Sequence, residues 1–79
     1  MFVSNDDQQV DATGLKCPEP VMMLHAAIRR AGVGDVVCLM ATDPSTQRDV
    51  PSFCEFLGHS LLETTLAQGH FFYRVKKAG

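Results

Sequence analysis

The stretch Gly14-Leu15-Lys16-Cys17-Pro18-Glu19-Pro20 sets one thiol beside a lysine and two prolines, just ahead of a helical pattern. The thiolate is the reactive form of cysteine, and helix N-termini and neighbouring cations favour it. Lys16 and the following helix act in that direction. Glu19 acts against it, and Pro18 and Pro20 lack the N–H groups that could hold a sulfur anion. The balance predicts an exposed, rigidly aimed and moderately activated thiol, with an alkylation midpoint modestly below that of a free cysteine. A nucleophilic enzyme needs a base within hydrogen-bond reach of its sulfur. A carrier does not, because its partners bring the acid and base groups. The bland alternative is a cysteine that merely precedes a proline-started helix.

The other candidate groups read differently. Cys38 lies mid-strand in an apolar run and has the setting of a small buried hydrophobe. Cys54 falls on the apolar face of a second helix and reads the same way, with a redox partnership to Cys17 as the alternative. Three cysteines is an odd count, which predicts free thiols and a reducing, cytoplasmic setting. Residues Met1 to Asp7 lack the basic region and apolar run of a signal peptide, which points the same way. A metal site from Cys17, Cys54, His25 and His59 lacks the close Cys-x-x-Cys or His-x-x-x-His spacing of a preformed site, so neither metal nor cofactor is predicted.

A net charge of −2 gives no global attraction to nucleic acid or to an acidic membrane. The basic residues Lys16, Arg29, Arg30, Arg48, Arg74, Lys76 and Lys77 come without a glycine-rich loop and with few aromatics, so no direct nucleic-acid partner is expected. No apolar stretch approaches the ~20 residues needed to span a bilayer. Met22, His25 and Arg29 recur at helical spacing on a flank that runs back from the Cys17 end. An exposed methionine with basic neighbours suits a docking strip, since methionine adapts to several partners; ordinary helix surface is the alternative.

These groups are positioned by one small domain over residues 1–79, with 1–7 expected to fray. Gln8 to Ala12 is a short strand, and Thr13-Gly14 turns the chain. Val21, Leu24, Ile28 and Ala31 share one face of a helix from about Pro18 to Ala31, with Pro18 at its first position and Gly32 ending it in the left-handed conformation. Asp35 to Ala41 is apolar on both alternating faces, as in a central strand. Asp43-Pro44 opens a second helix with an apolar face of Val50, Phe53, Cys54 and Leu57. Pro51 should kink that helix or delay its start, and Gly58 should end it. Ser60 to Ala67, a Gln68-Gly69 turn and Phe71 to Lys77 form a hairpin with one solvated side. The order βαβαββ predicts an α/β (α+β) two-layer sandwich, a mixed four-stranded sheet with two helices on one face.

Leu15-Lys16-Cys17-Pro18-Glu19-Pro20-Val21 closely resembles the Cys-Pro-x-Pro signature of the TusA (SirA-like) sulfur carrier family. The block from Asp43 to Cys54 is similar to that family's second motif, and the likeness runs from about Val10 to Lys76. The resemblance implies a fold like the C-terminal domain of translation initiation factor three. It implies that Cys17 accepts sulfur as a persulfide from a cysteine desulfurase and hands it to a downstream sulfur-relay protein, toward 2-thiolation of the tRNA wobble uridine. Pro18 and Pro20 would aim the sulfur, while Asp43, Arg48 and Asp49 would brace the loop or meet a partner. At His25 related proteins often have a firmly basic residue, so partner affinity here would vary with pH. A carrier serving successive partners is expected to be a monomer. Molybdenum-cofactor or sulfur-oxidation pathways, an RNA-binding module and a redox sensor are the competing readings.

Overall fold

A computed structural model describes residues 8–79; the fraying expected over 1–7 lies outside them. The elements are β1 (Gln8–Ala12), α1 (Glu19–Arg30), β2 (Val36–Ala41), α2 (Thr46–Leu57), β3 (Ser60–Ala67) and β4 (His70–Lys76). The sheet order is β1-β2-β4-β3, with β1 parallel to β2 and β4 antiparallel to both of its neighbours.

Val37, Leu39 and Ala41 of β2 stand opposite Val75, Tyr73 and Phe71 of β4. All six are buried, because alternate residues of a strand share a face. They form one core with Ala12 of β1, with Leu24, Ala27 and Ile28 of α1, and with Val50 and Cys54 of α2. Both helices therefore cover the same face, and the fold is the expected two-layer α+β sandwich. Leu24 is fully buried, which contributes about 1.5–3 kcal/mol. On the opposite face of the central strand β2, Cys38 is buried too.

The helix ends depart from the expectation in instructive ways. Pro18 stands just before the first turn of α1 and Pro20 at its second position. Neither breaks the helical ladder, since first-turn N–H groups have no intrahelical acceptor. Pro20 rather than Val21 is buried, and Val21 is only half-buried. Gly32 is not left-handed: the chain leaves α1 at Ala31 in an extended conformation, and the Gly32 N–H donates to Asp35 Oδ2 at 2.8 Å. A Cβ on Gly32 would lie 3.3 Å from that oxygen, so close approach explains this glycine.

Helix α2 runs through Pro51 and starts ahead of it. Asp43 Oδ1 accepts the Ser45 N–H at 3.1 Å, and Thr46 and Gln47 donate back to the Asp43 and Pro44 carbonyls, each at 3.1 Å. These tight turns nucleate the helix before the proline is reached, so Pro51 neither delays nor divides it. Gly58 ends α2 at φ 79°, as expected. In the hairpin, Gln68 (φ 53°) and Gly69 (φ 78°) form the two-residue turn. The β3–β4 register shifts between Leu61 and Glu63, leaving Leu62 as a bulge 47% exposed. Beyond the bulge, Thr64 and Leu66 stand opposite Tyr73 and Phe71.

Candidate functional site

Parallel pairing of β1 and β2 brings Ala12 beside Ala41, so the loops leaving both strands emerge side by side. The first loop carries Cys17 and the second carries Asp43. Thr13 donates its N–H (3.0 Å) and its hydroxyl (2.7 Å) to Asp11 Oδ1. The Gly14 N–H donates to Thr42 Oγ1 at 2.8 Å, and the Cys17 N–H donates to Asp43 Oδ2 at 2.7 Å. The cysteine backbone is thus tied to the neighbouring loop, while its side chain stays exposed.

Asp43 is itself held from the core. The Thr46 hydroxyl donates to the Asp43 carbonyl at 2.8 Å. Its one proton is thereby used, so Tyr73 Oη donates to Thr46 Oγ1, also at 2.8 Å. Both Thr46 and Tyr73 are buried, and desolvation pushes the Tyr73 phenol above its usual range. The Asp43 carboxyl is held below the ordinary carboxylate range by the Ser45 N–H first and the Cys17 N–H second, with Lys16 adding charge attraction.

The thiol does not behave as the local grammar suggests. The neighbouring Asp49 carboxylate pushes it above the ordinary cysteine value, and desolvation and the charge of Asp43 add to this. Arg48 opposes them, and its Nε also bonds Asp49 Oδ1 at 3.2 Å. The expected moderate activation is therefore corrected to suppression. The Cys17 N–H is spent on Asp43, and at the sulfur the carboxylates of Asp49 and Asp43 outweigh Arg48. Lys16 acts on Asp43.

Of the residues singled out in the sequence, Lys16, Cys17, Pro18 and Glu19 are exposed and Pro20 is buried. Asp43, Arg48 and Asp49 gather at the thiol. Met22, His25 and Arg29 form an exposed line along α1. The His25 ring meets Phe53 edge-on at 5.5 Å, and Phe53 lies 5.8 Å from His59. Cys54 lies in the core, its thiol pushed up to about 11 by burial. Among the described residues no group of three or more His, Cys, Asp or Glu could hold a metal ion, and no helix is long and apolar enough to cross a membrane.

Sequence reasoning missed Thr42, Thr46 and Tyr73 as supports of the site. The signal for the last was its place on the buried face of β4, since a buried tyrosine hydroxyl usually finds a partner. It also missed Phe56, 87% exposed, which lines an open groove with Val21, Ser52, Phe53 and Glu55.

A two-layer domain that presents one exposed thiol from the carboxyl ends of two parallel strands is a compact cysteine-presenting module. Residues 8–77 match the model of the family described as sulfurtransferase TusA, and the chain belongs to that family. It is 54% identical over 71 residues to the sulfur carrier protein TusA of Pseudomonas putida strain GB-1, covering 90% of this chain and 89% of the relative. The sulfur carrier protein TusA of Pseudomonas aeruginosa strain LESB58 is 52% identical, with 90% of each chain covered. The crystal structure of a SirA-like protein from Desulfitobacterium hafniense shares the fold with a TM-score of 0.79 at 22% identity, over 90% of this chain and 97% of that one.

Proposed function

We propose that this chain is a cytoplasmic sulfur carrier that holds sulfane sulfur on Cys17 as a persulfide. Sulfur arrives from a cysteine desulfurase and leaves to a downstream relay protein, toward 2-thiolation of the tRNA wobble uridine. The observation that carries the reading is that Cys17 alone of the three cysteines is exposed, on a backbone fixed by Asp43. Family membership supports it, as do the relatives named as sulfur carriers.

In the loading step Cys17 Sγ bonds to the outer sulfur of the donor persulfide. The donor's S–S bond breaks, and its inner sulfur departs as thiolate and takes up the proton that Cys17 releases. Unloading is the same exchange, with an acceptor thiolate attacking the outer sulfur and Cys17 as the leaving group. Lys16, Pro18, Glu19 and Pro20 shape the presenting loop, and Asp43, Arg48 and Asp49 support it. Met22, His25 and Arg29 serve as the docking strip.

The test is to incubate the protein with a cysteine desulfurase and cysteine and to weigh it intact. One added sulfur atom, removed by reductant and absent from Cys17→Ala, is the expected result. Sulfur distributed equally onto Cys38 or Cys54 would sink the proposal.

A further inference from the structure

Two hydroxyls meet inside an otherwise apolar core. Tyr73 of β4 is fully buried and Thr46 of α2 is 1% exposed, and their oxygens lie 2.8 Å apart. The core does not need them for its stability, since replacing both partners of a buried hydrogen bond by apolar groups of like shape is nearly neutral. Asp43 does not need them for satisfaction either. Its carbonyl already accepts the Thr46 N–H at 3.1 Å, and the Thr46 hydroxyl adds a second bond at 2.8 Å. The pair therefore fixes where Asp43 sits rather than whether its carbonyl is paired. Asp43 in turn holds the Cys17 N–H at 2.7 Å, and Thr42 beside it holds the Gly14 N–H at 2.8 Å. Pro18 and Pro20 have no N–H to add. The aim of the sulfur thus rests on the loop after β2, and two hydroxyls tie that loop to the sheet.

We propose that Thr46 and Tyr73 are positioning residues for sulfur transfer between proteins, acting on Cys17 through the placement of Asp43. This rests on the carrier reading above and adds to it two residues too buried to touch a partner. In loading, Cys17 Sγ bonds to the outer sulfur of a persulfide presented by another protein. The donor's S–S bond breaks, and its inner sulfur leaves as thiolate and takes up the proton that Cys17 releases. Both sulfurs are then held by proteins, so the reaction depends on their alignment. A displacement of about 1 Å arising far from the chemistry can cost on the order of 100-fold. A small donor approaches an exposed thiol freely and needs no such placement. The pair therefore governs transfer from a protein donor and leaves reaction with a small one alone.

The test compares the parent chain with the shape-keeping double variant Thr46→Val/Tyr73→Phe. Transfer from a persulfide-loaded cysteine desulfurase is followed by intact mass after rapid quenching, with inorganic polysulfide as the small donor. The double variant should keep the parent's Tm and its KM for the desulfurase, while kcat falls about 10- to 100-fold. Loading from polysulfide should match the parent, and Thr46→Ser, which keeps a hydroxyl, should hold kcat near the parent's. An unchanged kcat in the double variant overturns the proposal. So does an equal fall with both donors, which would mean general damage to the site. If the double variant does not fold, Tyr73→Phe alone decides: a lowered kcat at unchanged KM supports, and an unchanged kcat overturns. The Cys17 amide proton shift, read by NMR, should move in the double variant and stay in Thr46→Ser. A parent that takes sulfur from neither donor would remove the carrier reading, while the amide shift would still decide whether the pair positions Cys17.

Discussion

At Cys17 the backbone and the side chain are treated differently: the N–H is anchored on Asp43, and the sulfur is left at the surface beside Asp49. The alkylation midpoint of the parent protein should therefore lie above the free-thiol value of 9.0, and a midpoint below it would contradict the site as described. A raised thiol pKa means that the folded state favours the protonated sulfur. Its contribution to stability is present below pH 9.0 and is lost as pH rises through the folded value. Asp43 has the opposite sign: its contribution is present above pH 3.8 and is lost as pH falls through its depressed folded value. Asp43→Ala should speed hydrogen exchange at the Cys17 amide and lower the Tm, whereas Asp43→Asn, which keeps an acceptor oxygen, should do so less. Exchange measured by NMR checks both.

At the scale of elements, the turns and caps make the sharpest claims. Gly58 ends α2 at φ 79° with open space where a Cβ would go, so Gly58→Ala should cost about 1–2 kcal/mol from backbone strain alone. Gln68 holds φ 53° without being glycine, and Gln68→Gly should gain about 0.5–1 kcal/mol; urea denaturation measures both. The elements themselves were legible, because α1 and β4 carry clean periodicities of a helix and a strand. The start of α2 was not. The decision between a late start and an early one lay in Asp43 accepting the Ser45 N–H, which outweighs the local effect of Pro51. The suppression of the thiol was equally hidden. Asp49 is distant along the chain, and it reaches Cys17 only because β1 and β2 pair in parallel and set their following segments side by side.

For the whole molecule, a chain of this size has a total stability of about 4–12 kcal/mol, so the modest core leaves little margin. Leu24, fully buried between α1 and the sheet, should cost about 2–5 kcal/mol as Leu24→Ala, enough to populate unfolded chains near body temperature, as thermal unfolding would show. The same core reaches the surface through Tyr73, Thr46 and Asp43. The chain has one tyrosine and no tryptophan, so its intrinsic ultraviolet emission comes from Tyr73. That phenol is linked through the Thr46 hydroxyl to the loop that anchors Cys17, which makes the unlabelled protein its own optical probe. A shift of the Asp43 loop, whether from a substitution or from a partner at the sulfur, would register as a change in brightness and could be timed without attaching a dye.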